Sequence, residues 1–231
     1  MKAKENAKPL LLKDHAYEQL RELILSREYP PGTFLSERRV ANKLGISITP
    51  VKSALERLKN EGFVDISPQQ GIIVRNLSLE EISDLFELRM LLETYIVKQL
   101  AGKLTKEQKI VIKENLNEQK NYFEQEDIVS FAKLDTDFHV LLSKFLGNRE
   151  IVRIMITSAD KFNLLFSDML YRNPGRIQKA LQEHLEIGEA LLSDNVELAE
   201  SKMEAHLING KKLLLDKSIL ESTNSKVITW I

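Results

Sequence analysis

The chain has 231 residues, of which 43% are hydrophobic, which suits one large domain or two small ones with packed cores. It has no cysteine, which excludes disulfides and thiolate metal sites, and no apolar run long enough for a membrane span. The start, MKAKENAKPL, lacks the apolar segment of a secretory signal, so we expect a cytoplasmic protein. Residues 1–75 carry thirteen Lys and Arg against nine Asp and Glu, whereas the remainder carries twenty against twenty-five. This asymmetry suggests that nucleic acid would contact only the N-terminal part.

The first element predicted after a Lys-containing tail, residues 1–13, is a helix over about 14–27. Tyr17, Leu20 and Ile24 would share one face of it, and the Pro-Pro-Gly segment at 30–32 would terminate it.

Residues 36–62 predict two short helices joined by a tight turn. Ser36 is a favourable N-cap for the first helix, and Gly45 permits the backbone reversal that follows it. We expect Thr49 to cap the second helix and Pro50 to occupy its first position. A generic helical hairpin is the alternative to a DNA-reading helix-turn-helix. The buried face of the second helix would contain Val51, Ala54, Leu55 and Leu58.

Two β-prone runs, 63–66 and 72–74, follow directly and are separated by a turn-rich tip at 67–71. A hairpin in this position is the wing of a winged helix. At this point residues 14–75 resemble the DNA-binding domain of the GntR family of bacterial transcription regulators. The segments that carry the resemblance are YPPG at 29–32, LSER at 35–38, LGIS at 44–47, TPV at 49–51, LERL at 55–58 and EGFV at 61–64, with Gly71 in the wing.

The resemblance implies a set of DNA contacts in the helix-turn-helix and the wing. Relatives commonly have arginine where Ile48 and Lys52 stand. Isoleucine cannot make the bidentate guanine contact of arginine, and lysine keeps the charge without the planar fork. The usual operator of the family therefore does not carry over. The positions that match the family's DNA contacts are Arg38, Ser47, Ile48, Thr49, Lys52, Gln70 and Gly71.

From Ser78 onward the sequence predicts six helices with short connections, which favours an antiparallel bundle. Capping boxes, Ser78 with Glu81 and Thr105 with Gln108, open the first two helices. The predicted fold is therefore mainly α: a winged helix-turn-helix over residues 14–75, then a helical bundle over 76–231. The bundle resembles the effector-binding and dimerisation (FCD) domain of the FadR-type branch of the family.

Three of the four histidines lie in the predicted bundle, on three different helices. Asp135 and His139 stand four residues apart and so share one helix face, while His184 and His206 lie on the fifth and sixth helices. One carboxylate and three imidazoles could converge on a divalent metal, and zinc, nickel, manganese and iron all accept such ligands. The alternative is that these histidines are exposed or simply hydrogen-bonded. The fourth, His15, precedes the helix-turn-helix, where capping or exposure is expected.

The resemblance favours the metal site. Segments 134–139, 183–185 and 203–207 match those that supply metal ligands in the metal-binding FCD domains. It further implies that an open metal position receives the carboxylate of a small organic acid. Arg89 matches an arginine that can face this cavity; a salt bridge with a bundle glutamate is the equal alternative.

We therefore expect a ligand-responsive repressor that binds a palindromic DNA operator as a homodimer and is not an enzyme. Two alternatives remain open at this point. One is a metal-dependent hydrolase with Asp137 or Glu183 as base. The other is a regulator whose pocket binds a large acyl-CoA-type ligand without metal.

Overall fold

The computed structural model describes residues 11–67, 71–173 and 175–215, apart from the side chains of residues 167, 168, 171 and 172. The chain divides between Asn76 and Leu77 into two compact units. The mainly α fold class is confirmed, with a small three-stranded sheet as its only β structure among the described residues.

The N-terminal unit is a winged helix-turn-helix. Gly45 adopts the left-handed conformation (φ 66°) that the turn after α2 requires, and the Ser36 side chain accepts a hydrogen bond from the Arg39 amide at the start of that helix. The sheet is antiparallel in the order β1–β3–β2. Sequence reasoning missed β1, because two residues are too short for an alternating pattern to appear. The elements are α1 Leu12–Leu25, β1 Phe34–Leu35, α2 Glu37–Leu44, α3 Ile48–Asn60, β2 Val64–Ser67 and β3 Gly71–Val74.

The predicted start of the second helix of this motif is wrong by two residues. α3 begins at Ile48, and Ser47 is the extended N-cap residue, although its side chain makes no capping hydrogen bond. Pro50 is consequently the third residue of the helix. The first N–H groups of a helix have no intrahelical acceptor, so a proline is tolerated throughout the first turn and does not by itself mark the first position.

The second unit is a bundle of six described helices. Both predicted capping boxes are present, at Ser78–Glu81 and Thr105–Gln108. α6 packs against α4, α5 and α7, while α9 packs against α4 and α8, and α5 also contacts α8. α6 is therefore surrounded by other helices, and one of its faces lies toward α8 and α9. No helix in the described part of the chain is long and apolar enough to cross a membrane. The helices are α4 Leu79–Leu100, α5 Lys106–Glu124, α6 Ile128–Leu146, α7 Arg149–Arg172, α8 Gly175–Leu192 and α9 Val196–Leu215.

Candidate metal centre and nucleic-acid interface

The bundle brings together the four residues predicted to bind a metal. His139, His184 and His206 form a buried cluster in which one nitrogen from each lies within 4.8 Å of the others. The Nε2 atoms of His184 and His206 are 3.4 Å apart. Asp135 places Oδ1 3.4 Å from His184 Nε2 and Oδ2 3.9 Å from His139 Nε2. The four side chains thus converge from α6, α8 and α9.

These separations fit a metal ion. With metal–nitrogen bonds of about 2.1 Å, two ligands at a tetrahedral angle lie about 3.4 Å apart and two opposite ligands about 4.2 Å apart. The His184–His206 separation already equals the first value. The three histidine nitrogens all lie within 4.8 Å of one another, a limit that exceeds the second value by about 0.6 Å. Only a small contraction of side chains is needed to close this difference.

Hydrogen bonds to the outer ring nitrogens orient the imidazoles toward one another. His184 Nδ1 donates to Gln119 Oε1 at 2.8 Å, and His206 Nδ1 donates to Glu183 Oε2 at 2.8 Å. Since these oxygens accept, Nδ1 carries the hydrogen and Nε2 presents its lone pair to the centre of the cluster. Such partners are what metal-bound histidines usually have.

His139 is contacted on its outer side by Glu93, whose Oε2 lies 2.5 Å from His139 Nδ1, although the geometry is not that of a hydrogen bond. Its Nε2 atom is buried and has no hydrogen-bond partner among the described residues. All three histidines therefore contact a polar side chain on the outer side of the cluster, and His184 and His206 do so through a hydrogen bond.

Asp135 supplies the strongest sign that a cation belongs here. It is fully buried, and neither carboxylate oxygen has a hydrogen-bond partner in the described part of the chain. Burial raises the pKa of Asp135 to about 8, although Arg89 and Arg176 act in the opposite direction. A buried carboxylate without a partner is costly, and a metal ion would remove that cost.

Burial also keeps the imidazoles neutral at pH 7. It lowers the pKa of His139 to about 4 and holds the pKa of His184 well below its usual value. The pKa of His206 is lowered too, chiefly by burial. Neutral imidazole is the form that binds metals, so the three histidines are in their ligating state, whereas Asp135, with a pKa of about 8, would release its proton on metal binding.

Two arginine–glutamate pairs, one buried and one partly buried, contact the cluster. Arg89 on α4 pairs through Nε with Glu93, which contacts His139. Arg176 on α8 pairs through Nη2 with Glu183, which contacts His206. Arg89 thus forms the salt bridge that was the alternative to effector binding. In both arginines Nη1 is buried and lacks a hydrogen-bond partner among the described residues.

Sequence reasoning did not assign these supporting roles. Gln119 offers no sequence signal, because a single glutamine in the middle of a helix is common. The pair Arg176–Glu183 could have been noticed, since a spacing of seven residues places both side chains on one helix face next to His184. The fourth histidine, His15, is exposed, which is one of the two roles expected for it from the sequence.

A small cavity of about 10 Å³ adjoins the cluster on the α4–α6–α7 side. Arg89 lies in its wall, with the guanidinium 3.6 Å from the centre of the Phe162 ring. Such a volume holds about one water molecule. An organic acid could enter only if side chains such as Arg89 or Phe162 moved. The remaining walls are formed by Thr136, His139, Val140, Met155, Ser158 and Ala159.

In the N-terminal unit each described residue that is expected to contact DNA is exposed to solvent. α3 buries Val51, Ala54, Leu55 and Leu58, as predicted, and leaves Ile48, Thr49 and Lys52 exposed. Lys52 Nζ lies 3.4 Å from Glu37 Oε2, and both side chains are solvated, so this ion pair is weak and can open for DNA. Arg38, Ser47 and Gly71 are also exposed. Gln70 lies outside the described residues.

A winged helix-turn-helix followed in the chain by a helical bundle with a buried histidine cluster defines a class of protein, the DNA-binding transcription regulators. The comparisons with known proteins agree with this class. Residues 12–74 match the bacterial regulatory proteins of the gntR family, and residues 84–209 match the FCD domain. The chain belongs to the GntR family of transcription regulators and carries an FCD domain. This family consists of regulators rather than enzymes, so the hydrolase alternative is set aside.

Among curated proteins, the chain is similar to the HTH-type transcriptional repressor RspR of Escherichia coli strain K12. The two are 27% identical over 194 residues, 83% of each chain. It is also similar to the Nta operon transcriptional regulator of Aminobacter aminovorans, with 29% identity over 76% of this chain and 80% of that one.

Two solved structures share the fold. A GntR regulator from Rhodococcus sp. RHA1 superposes with a TM-score of 0.79 and 23% identity, covering 88% of this chain and 97% of that one. E. coli McbR/YncC has a TM-score of 0.77 and 18% identity, covering 90% and 99%.

Proposed function

We propose that this regulator is a cytoplasmic, homodimeric repressor whose affinity for a palindromic operator depends on a small organic acid bound at a divalent metal. The observation that carries the proposal is the buried cluster of three inward-facing imidazoles around the unpartnered carboxylate of Asp135. The metal would be held by Asp135, His139, His184 and His206. When bound, it supplies an open coordination position for a carboxylate.

The chain's own residues then determine how the acid is held. Arg89 borders the cavity next to His139 and keeps one guanidinium nitrogen without a partner among the described residues. That nitrogen can bind the end of the acid that is remote from the metal. Since the cavity is too small for such a ligand, binding requires Arg89 or Phe162 to move. If these side chains move, α4 or α7 would shift with them. Such a shift is the way in which binding of the acid could alter the conformation of other parts of the protein.

Repression is supported by the printed names of relatives, RspR and a gluconate operon transcriptional repressor of Bacillus licheniformis. The metal-free, acyl-CoA-type pocket is less well supported, because the cavity next to the histidine cluster, at about 10 Å³, is far too small for such a ligand.

The homodimer is supported by an exposed apolar stripe on α4. Leu88, Leu91 and Tyr95 lie one turn apart along one face, and their exposures are 38%, 73% and 48%. We propose a second copy of the chain as the occupant of this stripe, because winged-helix units read palindromic operators in pairs.

The test is DNA binding by the purified full-length protein, measured by fluorescence anisotropy on its own upstream sequence with and without a chelator. Metal content is measured in parallel, and a panel of small organic acids is screened for a change in DNA affinity. An acid that weakens DNA binding only when metal is present supports the proposal. The proposal would be refuted if the protein bound its DNA specifically, if no acid altered that affinity, and if the protein contained no metal either after purification or after metal addition.

The DNA surface has its own test. Arg38→Ala should weaken binding equally on all sequences and flatten the salt dependence if Arg38 contacts phosphate. If it contacts a base edge, the loss should be about 1–3 kcal/mol and confined to the operator. Unchanged affinity on both operator and unrelated DNA would exclude Arg38 from the interface.

A further inference from the structure

A polar groove with a volume of about 350 Å³ lies between α8 and α9. It is distinct from the small cavity at Arg89, with which it shares no lining residue. Its walls are formed by Arg176, Lys179, Glu183, Asn209, Lys212 and Leu213. The volume falls at the lower end of the range for small-molecule sites.

The groove carries an excess of positive charge. Three cationic side chains face one carboxylate, and that carboxylate, Glu183, is already engaged on both oxygens. Its Oε2 accepts from His206 Nδ1 and from Arg176, and its Oε1 accepts from Asn209 Nδ2 at 3.0 Å. The lining therefore keeps a surplus of two positive charges that Glu183 cannot neutralise.

The two lysines are free to bind a ligand. Lys179 on α8 and Lys212 on α9 are exposed, and neither forms an ion pair within residues 11–67, 71–173 and 175–215. They approach the groove from different helices, so their ammonium groups can reach one ligand from two sides.

Arg176 provides the observation that separates this groove from an ordinary basic surface. Its side chain is only 5% exposed, and Nη1 is buried without a hydrogen-bond partner in the described chain. An unsatisfied donor on a buried cation is costly to retain. Because Arg176 borders the groove, an anion bound there would satisfy this donor once the guanidinium turned toward it.

We propose that this groove binds the phosphate group of a small phosphomonoester. Such a group carries a charge of about −1.5 to −2 at pH 7 and three acceptor oxygens. The charge matches the surplus of the lining, and the oxygens match one guanidinium and two ammonium groups that converge from two helices. A single carboxylate has half the charge and two oxygens, and would leave one lysine without a partner. The three cations proposed to bind the phosphate, Arg176, Lys179 and Lys212, are not among the predicted metal ligands, although Glu183 in the same wall contacts His206.

The experiment is isothermal titration calorimetry of the full-length, chelator-treated protein with inorganic phosphate. Chelation removes any binding through the metal, so this result and that of the proposed function can be distinguished. We expect saturable binding that the double variant Lys179→Gln/Lys212→Gln weakens by about tenfold or more, since two charge-assisted contacts are lost. The matched control is Lys113→Gln/Lys120→Gln on α5, which removes the same net charge elsewhere and should leave the affinity unchanged.

Each other outcome overturns the proposal. Absence of binding to the wild type would remove the site. An equal loss of phosphate affinity in both double variants would show that binding depends only on the net charge of the protein. Succinate that binds the wild type as tightly as phosphate does, and loses affinity in the same variant, would assign the groove to dicarboxylates. Both lysines are exposed, so the variants should fold, and circular dichroism and the melting temperature verify this.

Discussion

Replacing Asp135 by asparagine should have opposite effects on the stability of the metal-free and the metal-bound protein. Asp135 is fully buried, and its carboxylate has no hydrogen-bond partner among the described residues. Asparagine has nearly the same shape and cannot ionise, whereas burial raises the pKa of Asp135 to about 8; the asparagine amide can also donate to His184 Nε2, the atom that lies 3.4 Å from Asp135 Oδ1. Without metal, the substitution therefore removes a destabilising group.

The magnitude follows from the cost of an unpartnered buried polar group, about 1–3 kcal/mol. For a domain of this size each kcal/mol corresponds to about 2–4 °C in melting temperature. We expect metal-free Asp135→Asn to melt several degrees above the metal-free wild type. With metal at a thousand times its dissociation constant, the wild type gains about 4 kcal/mol that the variant largely loses. With metal bound, the wild type should therefore melt at a higher temperature than Asp135→Asn.

The assay is thermal unfolding by circular dichroism at fixed pH, with a chelator and with added metal. Asp137→Asn is the matched control, because it removes a carboxylate from the exposed side of the same helix and should respond to metal as the wild type does. If metal stabilises Asp135→Asn as much as the wild type, Asp135 is not a ligand. A metal-free variant less stable than the metal-free wild type would refute the claim that its carboxylate is uncompensated.

Three further outcomes are expected. His184→Ala and His206→Ala should each abolish or greatly reduce metal content, measured by elemental analysis; full occupancy in both would leave these histidines as structural residues. Leu91→Glu should convert the proposed dimer to a monomer in analytical ultracentrifugation, because it places a charge in the exposed stripe of α4, whereas Ile110→Glu on α5 should not; a dimer that persists in both would rule the stripe out. Lys52→Ala should weaken operator binding by about 1–3 kcal/mol if Lys52 reads a base edge, measured by anisotropy, and no loss would exclude it from the interface.

Local signals explain why much of the architecture could be predicted. Ser78 with Glu81 and Thr105 with Gln108 are capping boxes, in which each helix start is encoded by side chains that bond only to their own backbone. Gly147 ends α6 in the left-handed conformation, which is again a local property. Where a local signal was ambiguous, as with Pro50 in the first turn of α3, the predicted boundary was wrong.

The sequence by itself determined the order of the helices, the winged motif and the residue types able to bind a metal, because periodicity, caps and turns act over a few residues. Only the tertiary structure decided which groups surround the four predicted ligands. Glu93, Gln119 and Glu183 orient the imidazoles from α4, α5 and α8, and nothing in a linear pattern brings these helices to one point. The same holds for Arg89 and Arg176, which lie 87 positions apart and flank one centre. Convergence of distant side chains depends on how the helices pack, and packing is set by the whole core.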